Sequence, residues 1–207
     1  MNLYLVRHGL SEGNIANVHQ PADSPLSDEG LQQAKAVADR FSHVKIDAFY
    51  ISPMLRARQT AQVIGKKIGR KPKIVNELAE MMPPEQIIGL SDSDPRAKVV
   101  MDEIFAKFHD PQFRHSGTEN FWDLKSRAKK FLNQVARLNK DNVLAVTHGL
   151  TLRALVGLVI FGDDFDSYQF DKLFHNLKTV NTGVTLCQFT NNKWKLITWN
   201  DHSHWVE

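Results

Sequence analysis

Apolar residues along the chain follow two rhythms. Residues 3–6 are a short apolar run that reads as a strand. Over 28–41, Leu31, Ala34, Val37 and Phe41 recur every three or four positions. That spacing predicts a helix, with Ser27 as its N-cap. Residues 46–51 read as a second strand. Ser52-Pro53 then looks like an N-cap followed by proline at the first helical position. Ala57, Ala61, Ile64 and Ile68 mark the buried stripe of that helix, and Gly65 and Gly69 weaken or end it. A weak third strand is expected over 73–75. Phe121, Leu124, Ala128, Phe131, Val135 and Leu138 step evenly along one helix face. Residues 143–147 lack polar alternation, as expected for a strand covered on both sides. A helix over 151–161 follows. Two last strands, 184–189 and 194–199, are joined at Asn191-Asn192, a hairpin signal.

Residues 77–117 break the rhythm. They hold Pro83-Pro84, a polar turn from Asp92 to Pro95, and a helix expected around Val100, Ile104 and Phe108. This stretch reads as a cap-like insertion over one end of the sheet. Strands alternating with helices predict one α/β domain over 1–207, a three-layer α/β/α sandwich with a mainly parallel central sheet.

Composition narrows the function. The chain has 207 residues, with 26 Lys plus Arg against 23 Asp plus Glu, a net charge of +3. A nucleic-acid binder shows a stronger basic excess or a basic stripe, so none is expected as a partner. The basic run from Lys66 to Lys73 is a solvated helix end. The longest apolar run, 150–162, contains Arg153 and is too short to cross a bilayer. With one cysteine, Cys187, and no basic segment ahead of an apolar stretch, a cytoplasmic protein is expected. Cys187 reads as a core strand residue. Oligomeric state leaves no mark in the pattern.

In open α/β sheets, ligands sit outside the carboxyl ends of the strands. Arg7, His8 and Gly9 follow the first strand, and Arg56 and Arg58 lie in the helix after the second. Glu77 and Glu80 follow the third, and His148 and Gly149 follow the strand ending at Thr147. Two arginines can fork onto phosphoryl oxygens. A neutral imidazole can attack phosphorus, and a second, protonated one can stabilise the charge in flight. A carboxylic acid can protonate the departing alkoxide. None of this requires a metal or cofactor. Asp92-Ser93-Asp94 lacks the preceding apolar strand of an aspartyl-phosphate site, and His202 and His204 lack further ligands spaced nearby.

These residues carry a resemblance. Arg7-His8-Gly9-Leu10-Ser11-Glu12-Gly13-Asn14 resembles the RHG(x)(S/T)xxN signature of the histidine phosphatase superfamily, the phosphoglycerate mutase-like fold. Asp23 to Ser27 with Gly30 and Ala34, Ser52-Pro53-Met54-Leu55-Arg56-Ala57-Arg58-Gln59-Thr60-Ala61, Gly117-Thr118-Glu119, and Thr147-His148-Gly149 resemble its later motifs in order. The resemblance implies a metal-independent phosphomonoester hydrolase acting on a small phosphorylated substrate and releasing inorganic phosphate. His8 is similar to the nucleophile that forms a phosphohistidine. Arg7, Arg56, Asn14 and Gly149 match positions around the phosphate, His148 is similar to the second histidine, and Glu80 is similar to the proton donor, with Glu77 as its competitor. Met81-Met82-Pro83-Pro84 stands where many members carry a glycine and aromatic motif. The mutase continuation and its longer insertions are missing, which favours hydrolysis over phosphoglycerate mutase-type transfer. A binding module without catalysis ranks below both, because all four phosphate-pocket residues are present.

Overall fold

The computed structural model describes residues 1–205. In chain order the elements are β1 (Asn2–Arg7), α1 (Glu12–Ile15), α2 (Asp28–Phe41), β2 (Ala48–Ile51), α3 (Leu55–Ile68) and β3 (Lys73–Ile74). They continue with α4 (Pro95–Ala106), α5 (Phe121–Ala136), β4 (Asn142–Thr147), α6 (Gly149–Phe161), α7 (Ser167–Asn176), β5 (Val184–Thr190) and β6 (Lys193–Asp201). The sheet order is β3-β2-β4-β1-β5-β6. The first four positions are parallel, and β5 and β6 close one edge antiparallel.

The uninterrupted apolar run of β4 has the predicted cause. Val143 and Ala145 enter the core beneath α5 and α6, while Leu144 and Val146 enter the core beneath α2 and α3. All four are fully buried. Phe121, Leu124, Phe131 and Val135 form the buried stripe of α5, and Val37, Phe41, Ala57, Ala61 and Ile64 cover the opposite face. This is the three-layer α/β/α arrangement that the two rhythms predict. Cys187 is buried in β5, where burial pushes its thiol up to about 12.

Local chemistry sets the element ends. Gly69 closes α3 in the left-handed region at φ 66°. Asn191 and Asn192, at φ 50° and 58°, make the tight turn between β5 and β6. The loop after β1 lies directly against the start of α2. A methyl group on Gly30 would stand 1.9 Å from the Leu10 carbonyl oxygen, so only glycine allows that approach. The loop that carries His8 is thereby fixed to a helix.

Three expectations change. Ser52 does not cap α3, because Met54 occupies the N-cap position and the helix starts at Leu55. The Ser52 hydroxyl is turned into the interior instead. The helix expected around Val100, Ile104 and Phe108 begins earlier, at Pro95 behind the Asp94 cap, and ends at Ala106. The helix α7 was not anticipated, although its capping box, Asp166 with Gln169, is a recognisable start signal. Among the described residues, no helix is long and apolar enough to cross a membrane.

Candidate active site

The carboxyl ends of β1, β2 and β4 meet at a cavity of about 580 Å³. Arg7 ends β1, with His8 just beyond it. Arg56 lies in the first turn of α3. His148 is the N-cap residue of α6, and Gly149 opens that helix. Residues 78–80 are pinned beside them by a hydrogen bond from the Thr147 hydroxyl to the Leu78 carbonyl at 2.9 Å. Arg7, His8, Asn14, Arg56, Glu80 and Gly149 all border the cavity.

His8 is 3% exposed, and its Nδ1 stands 2.7 Å from the Gly9 carbonyl oxygen. A carbonyl can only accept, so Nδ1 carries the proton and Nε2 keeps its lone pair. The His148 ring lies behind it, centroid to centroid 5.0 Å. Its Nε2 is 2.7 Å from the buried Ser52 hydroxyl, which also accepts from the Met54 amide at 3.2 Å. If Ser52 accepted from both groups, its own proton would have no partner. Donation from Ser52 to Nε2 gives the hydroxyl proton a partner, and it leaves the His148 proton on Nδ1.

Arg7 gives Nη1 to the Thr179 carbonyl at 2.8 Å, and Arg56 gives Nη1 to the Pro21 carbonyl at 3.0 Å. Arg7 Nε, Arg56 Nε and His148 Nδ1 are buried without a partner among the described residues. Leaving buried donors unpaired costs about 1–3 kcal/mol each, more for charged groups. Arg7 and Arg56 border the cavity and His148 stands next to His8, so donors of this kind suit an oxyanion there. Asn14 fits the same picture. Its Oδ1 takes bonds from Ser11 and Asn181, which leaves its amide donors for the cavity.

Glu80 sits at the start of α6 and supplies the cap that His148 does not. Its Oε1 accepts from the Thr151 amide at 3.0 Å and its Oε2 from the Leu150 amide at 2.9 Å. The Thr151 hydroxyl and the Met81 amide add two further bonds. Glu77 points elsewhere, pairing with Lys130 of α5 at 2.6 Å. Glu119 borders the cavity but is held by Arg127. In the 77–117 stretch, Arg96, Lys107 and Arg114 pair with Asp94, Glu103 and Asp123. None of these three borders the main cavity.

Several residues around the site escape the sequence reading. Ser52 passes for a helix cap. Arg153 is the lone charge in an apolar helix, which was the available signal, and its guanidinium binds the Leu177 and Gly149 carbonyls. Asn181 donates to the His8 carbonyl at 2.9 Å, and the Thr182 amide donates to the Arg7 carbonyl at 2.9 Å. These last contacts span some 170 residues, with no local pattern to announce them. Among the described residues, no group of three or more His, Cys, Asp or Glu side chains is placed to hold a metal.

Burial is the main force on the charges here. It pulls Arg7 down to about 10, against the opposing pull of Glu80. Burial, assisted by Arg7 and Arg56, holds His8 well below the usual histidine range. Burial, then His8 and the same arginines, does the same to His148. The second imidazole was expected to be protonated. Near neutral pH this direction favours the neutral ring, which leaves Nδ1–H as its donor. His204, pushed down to about 4 by burial beside Arg40, behaves alike.

A stability effect follows. The unfolded chain protonates these imidazoles near pH 6.5, and the folded chain does not, so the unfolded state binds more protons below that pH. Stability is therefore full above about pH 6.5 and falls as pH drops below it. His8 and His148 each contribute a slope of up to about 1.4 kcal/mol per pH unit. Urea midpoints measured from pH 7.5 to 5 will decline over this window, and His8→Ala will flatten the decline. A flat profile would show that the buried imidazoles titrate normally.

Comparison with known proteins agrees with this geometry. Residues 3–202 match the family model of the histidine phosphatase superfamily, branch 1. A metal-independent phosphoserine phosphatase of Arabidopsis thaliana is 28% identical over 98% of this chain and 82% of its own. A 2,3-bisphosphoglycerate-dependent phosphoglycerate mutase of a Methylobacterium species is 29% identical over 74% of this chain and 78% of its own. The solved structure of Bacillus stearothermophilus YhfR superimposes with a TM-score of 0.84 at 25% identity, covering 98% of both chains.

Proposed function

The chain belongs to the histidine phosphatase superfamily, branch 1, and from that premise we propose that it is a metal-independent phosphomonoester hydrolase with His8 as nucleophile. The observation that carries this reading is the pairing of a free Nε2 lone pair on His8 with three unpartnered donors on Arg7, Arg56 and His148. The substrate's phosphoryl oxygens take those donors, together with the Asn14 amide and the start of α6 at Gly149. His8 Nε2 attacks phosphorus, and the bond to the ester oxygen breaks. Glu80 gives its proton to the departing alkoxide. Water then attacks the phosphohistidine and passes a proton to Glu80, the N–P bond breaks, and inorganic phosphate leaves. Ser52 acts through His148, fixing which ring nitrogen faces the phosphoryl group.

Residues 77–117 serve in this reading as the cap over the strand ends of a single phosphatase domain spanning the chain. The fold owes nothing to a disulfide, which suits a cytoplasmic enzyme.

The test is phosphate release from O-phosphoserine and 4-nitrophenyl phosphate, with and without EDTA. Free phosphate at a rate unchanged by EDTA is expected. A strong EDTA loss would require a metal site. Isomerised phosphoglycerate without free phosphate, in the presence of bisphosphoglycerate, would make the protein a mutase.

A further inference from the structure

The proposed phosphate-binding residues make up only part of the cavity lining, and the remainder has a character of its own. A volume of about 580 Å³ falls within the range of about 300–1,000 Å³ that accommodates drug-sized ligands. The wall nearest Glu80 is the run Met81-Met82-Pro83-Pro84, all four of which border the cavity. Met101 and Ile104 of α4 border it as well. Methionine side chains adapt to irregular apolar shapes. Behind Met81 and Ile104 a side pocket of about 40 Å³ opens beside Phe108 and Phe113, and it shares Met81, Ile104, Thr118 and Glu119 with the main cavity.

The further charges on the same cavity are mostly committed to protein partners. Asp92 lies 3.3 Å from His19, Glu119 pairs with Arg127, and Arg153 gives three of its N–H groups to backbone carbonyls. Lys178 is in no ion pair among the described residues and is the cation left over there. An amino acid on the leaving oxygen would bring a carboxylate and an ammonium group, with Lys178 for the first and only the already paired carboxylates of Asp92 and Glu119 for the second.

We propose that the preferred substrates are phosphomonoesters of primary alcohols bearing an aromatic or branched apolar group, seated against Met81, Met82, Met101 and Ile104. This rests on the phosphatase reading, in which Glu80 marks where the leaving oxygen sits. The skeleton attached to that oxygen then runs past the residues that follow Glu80. Burying a phenyl-sized group there favours the apolar ester by about ten- to a hundredfold in kcat/KM.

The experiment compares 2-phenylethyl phosphate, ethyl phosphate and O-phosphoserine, with phosphate release as readout. Phenylethanol and ethanol are of similar acidity, so the leaving oxygen is held nearly constant between the first two. The 2-phenylethyl ester is expected to exceed both others by at least about tenfold in kcat/KM. The double variant Met101→Ser, Ile104→Ser is expected to bring the ratio to ethyl phosphate close to one. Both esters are read on the same sample, so the ratio does not depend on the fraction folded. A wild-type ratio near one, or phosphoserine as the best of the three, overturns the proposal and leaves the phosphatase reading standing. A high ratio that the double variant does not lower overturns the assigned wall. No phosphate from any ester, 4-nitrophenyl phosphate included, defeats the phosphatase reading itself.

Discussion

His8→Ala will lower phosphate release by about four orders of magnitude or more, the scale seen when an enzyme loses its nucleophile. The size follows from the division of labour in the pocket. Arg7, Arg56 and His148 can still bind and polarise the phosphoryl group after the change. They cannot attack it, and the hydrogen bond from Nδ1 to the Gly9 carbonyl that aims the ring is lost as well. Binding should survive better than turnover, so inorganic phosphate or vanadate should still protect the variant against heat. The fold should persist, because the loop holding residue 8 is fixed through its backbone. The Gly9 amide donates to the Thr60 hydroxyl at 3.0 Å, and the His8 amide donates to the Thr147 carbonyl at 2.9 Å. The decisive measurement is a rapid quench of the wild type with labelled ester. A phosphohistidine is cleaved by acid and survives alkali, and that label should be absent from the variant. Near wild-type turnover in His8→Ala, with a cooperative melt, would end the mechanism.

The sequence announces this centre because its parts are local. Arg7 and His8 follow an apolar strand, Arg56 stands in register with Ser52-Pro53, and His148 ends a buried strand. Each is short-range information, and the rule that ligands gather at the carboxyl ends of strands assembles the set. The sheet is legible for the same reason, since a period of two or of three to four is written within ten residues. Ser52 shows where this fails. Its spacing before a proline suits a cap, but a hydrogen bond to His148, 96 residues away, decides its orientation. Asn181 and Thr179 hold the His8–Arg7 turn from the far end of the chain, through contacts that no pattern encodes. The stretch 77–117 is opaque for another reason. It carries few buried residues in any period, and its helix α4 buries only Ala97 fully. Met81 to Pro84, Asp92, Met101 and Ile104 of this stretch border the cavity instead.

Glu80→Gln will separate substrates by the quality of their leaving groups. An alkyl ester departs as a strongly basic alkoxide, and loss of the proton donor should cost it about 10²–10⁴ in kcat/KM. A 4-nitrophenolate needs no proton to leave, so 4-nitrophenyl phosphate should lose far less in the same parameter. With this ester the variant should instead show a burst of nitrophenol equal to the enzyme present. The second step, attack of water on the phosphohistidine, still lacks its base, and phosphate release should then limit kcat. The geometry presents an apparent objection: three contacts of the Glu80 carboxyl are amide donors, although the fourth, the Thr151 hydroxyl, gives its proton to the Ala79 carbonyl and can accept one from Glu80. The proton is required only when the alkoxide departs. The same contacts predict a structural cost. Glutamine keeps one acceptor but turns an amide donor toward either Leu150 or Thr151, so about 1 kcal/mol or somewhat more of stability should be lost at the start of α6. That loss lowers the melting temperature without touching the ratio between esters. An equal fall for both esters, with no burst, would reduce Glu80 to a cap for α6, and an unchanged alkyl rate would move the donor to another group.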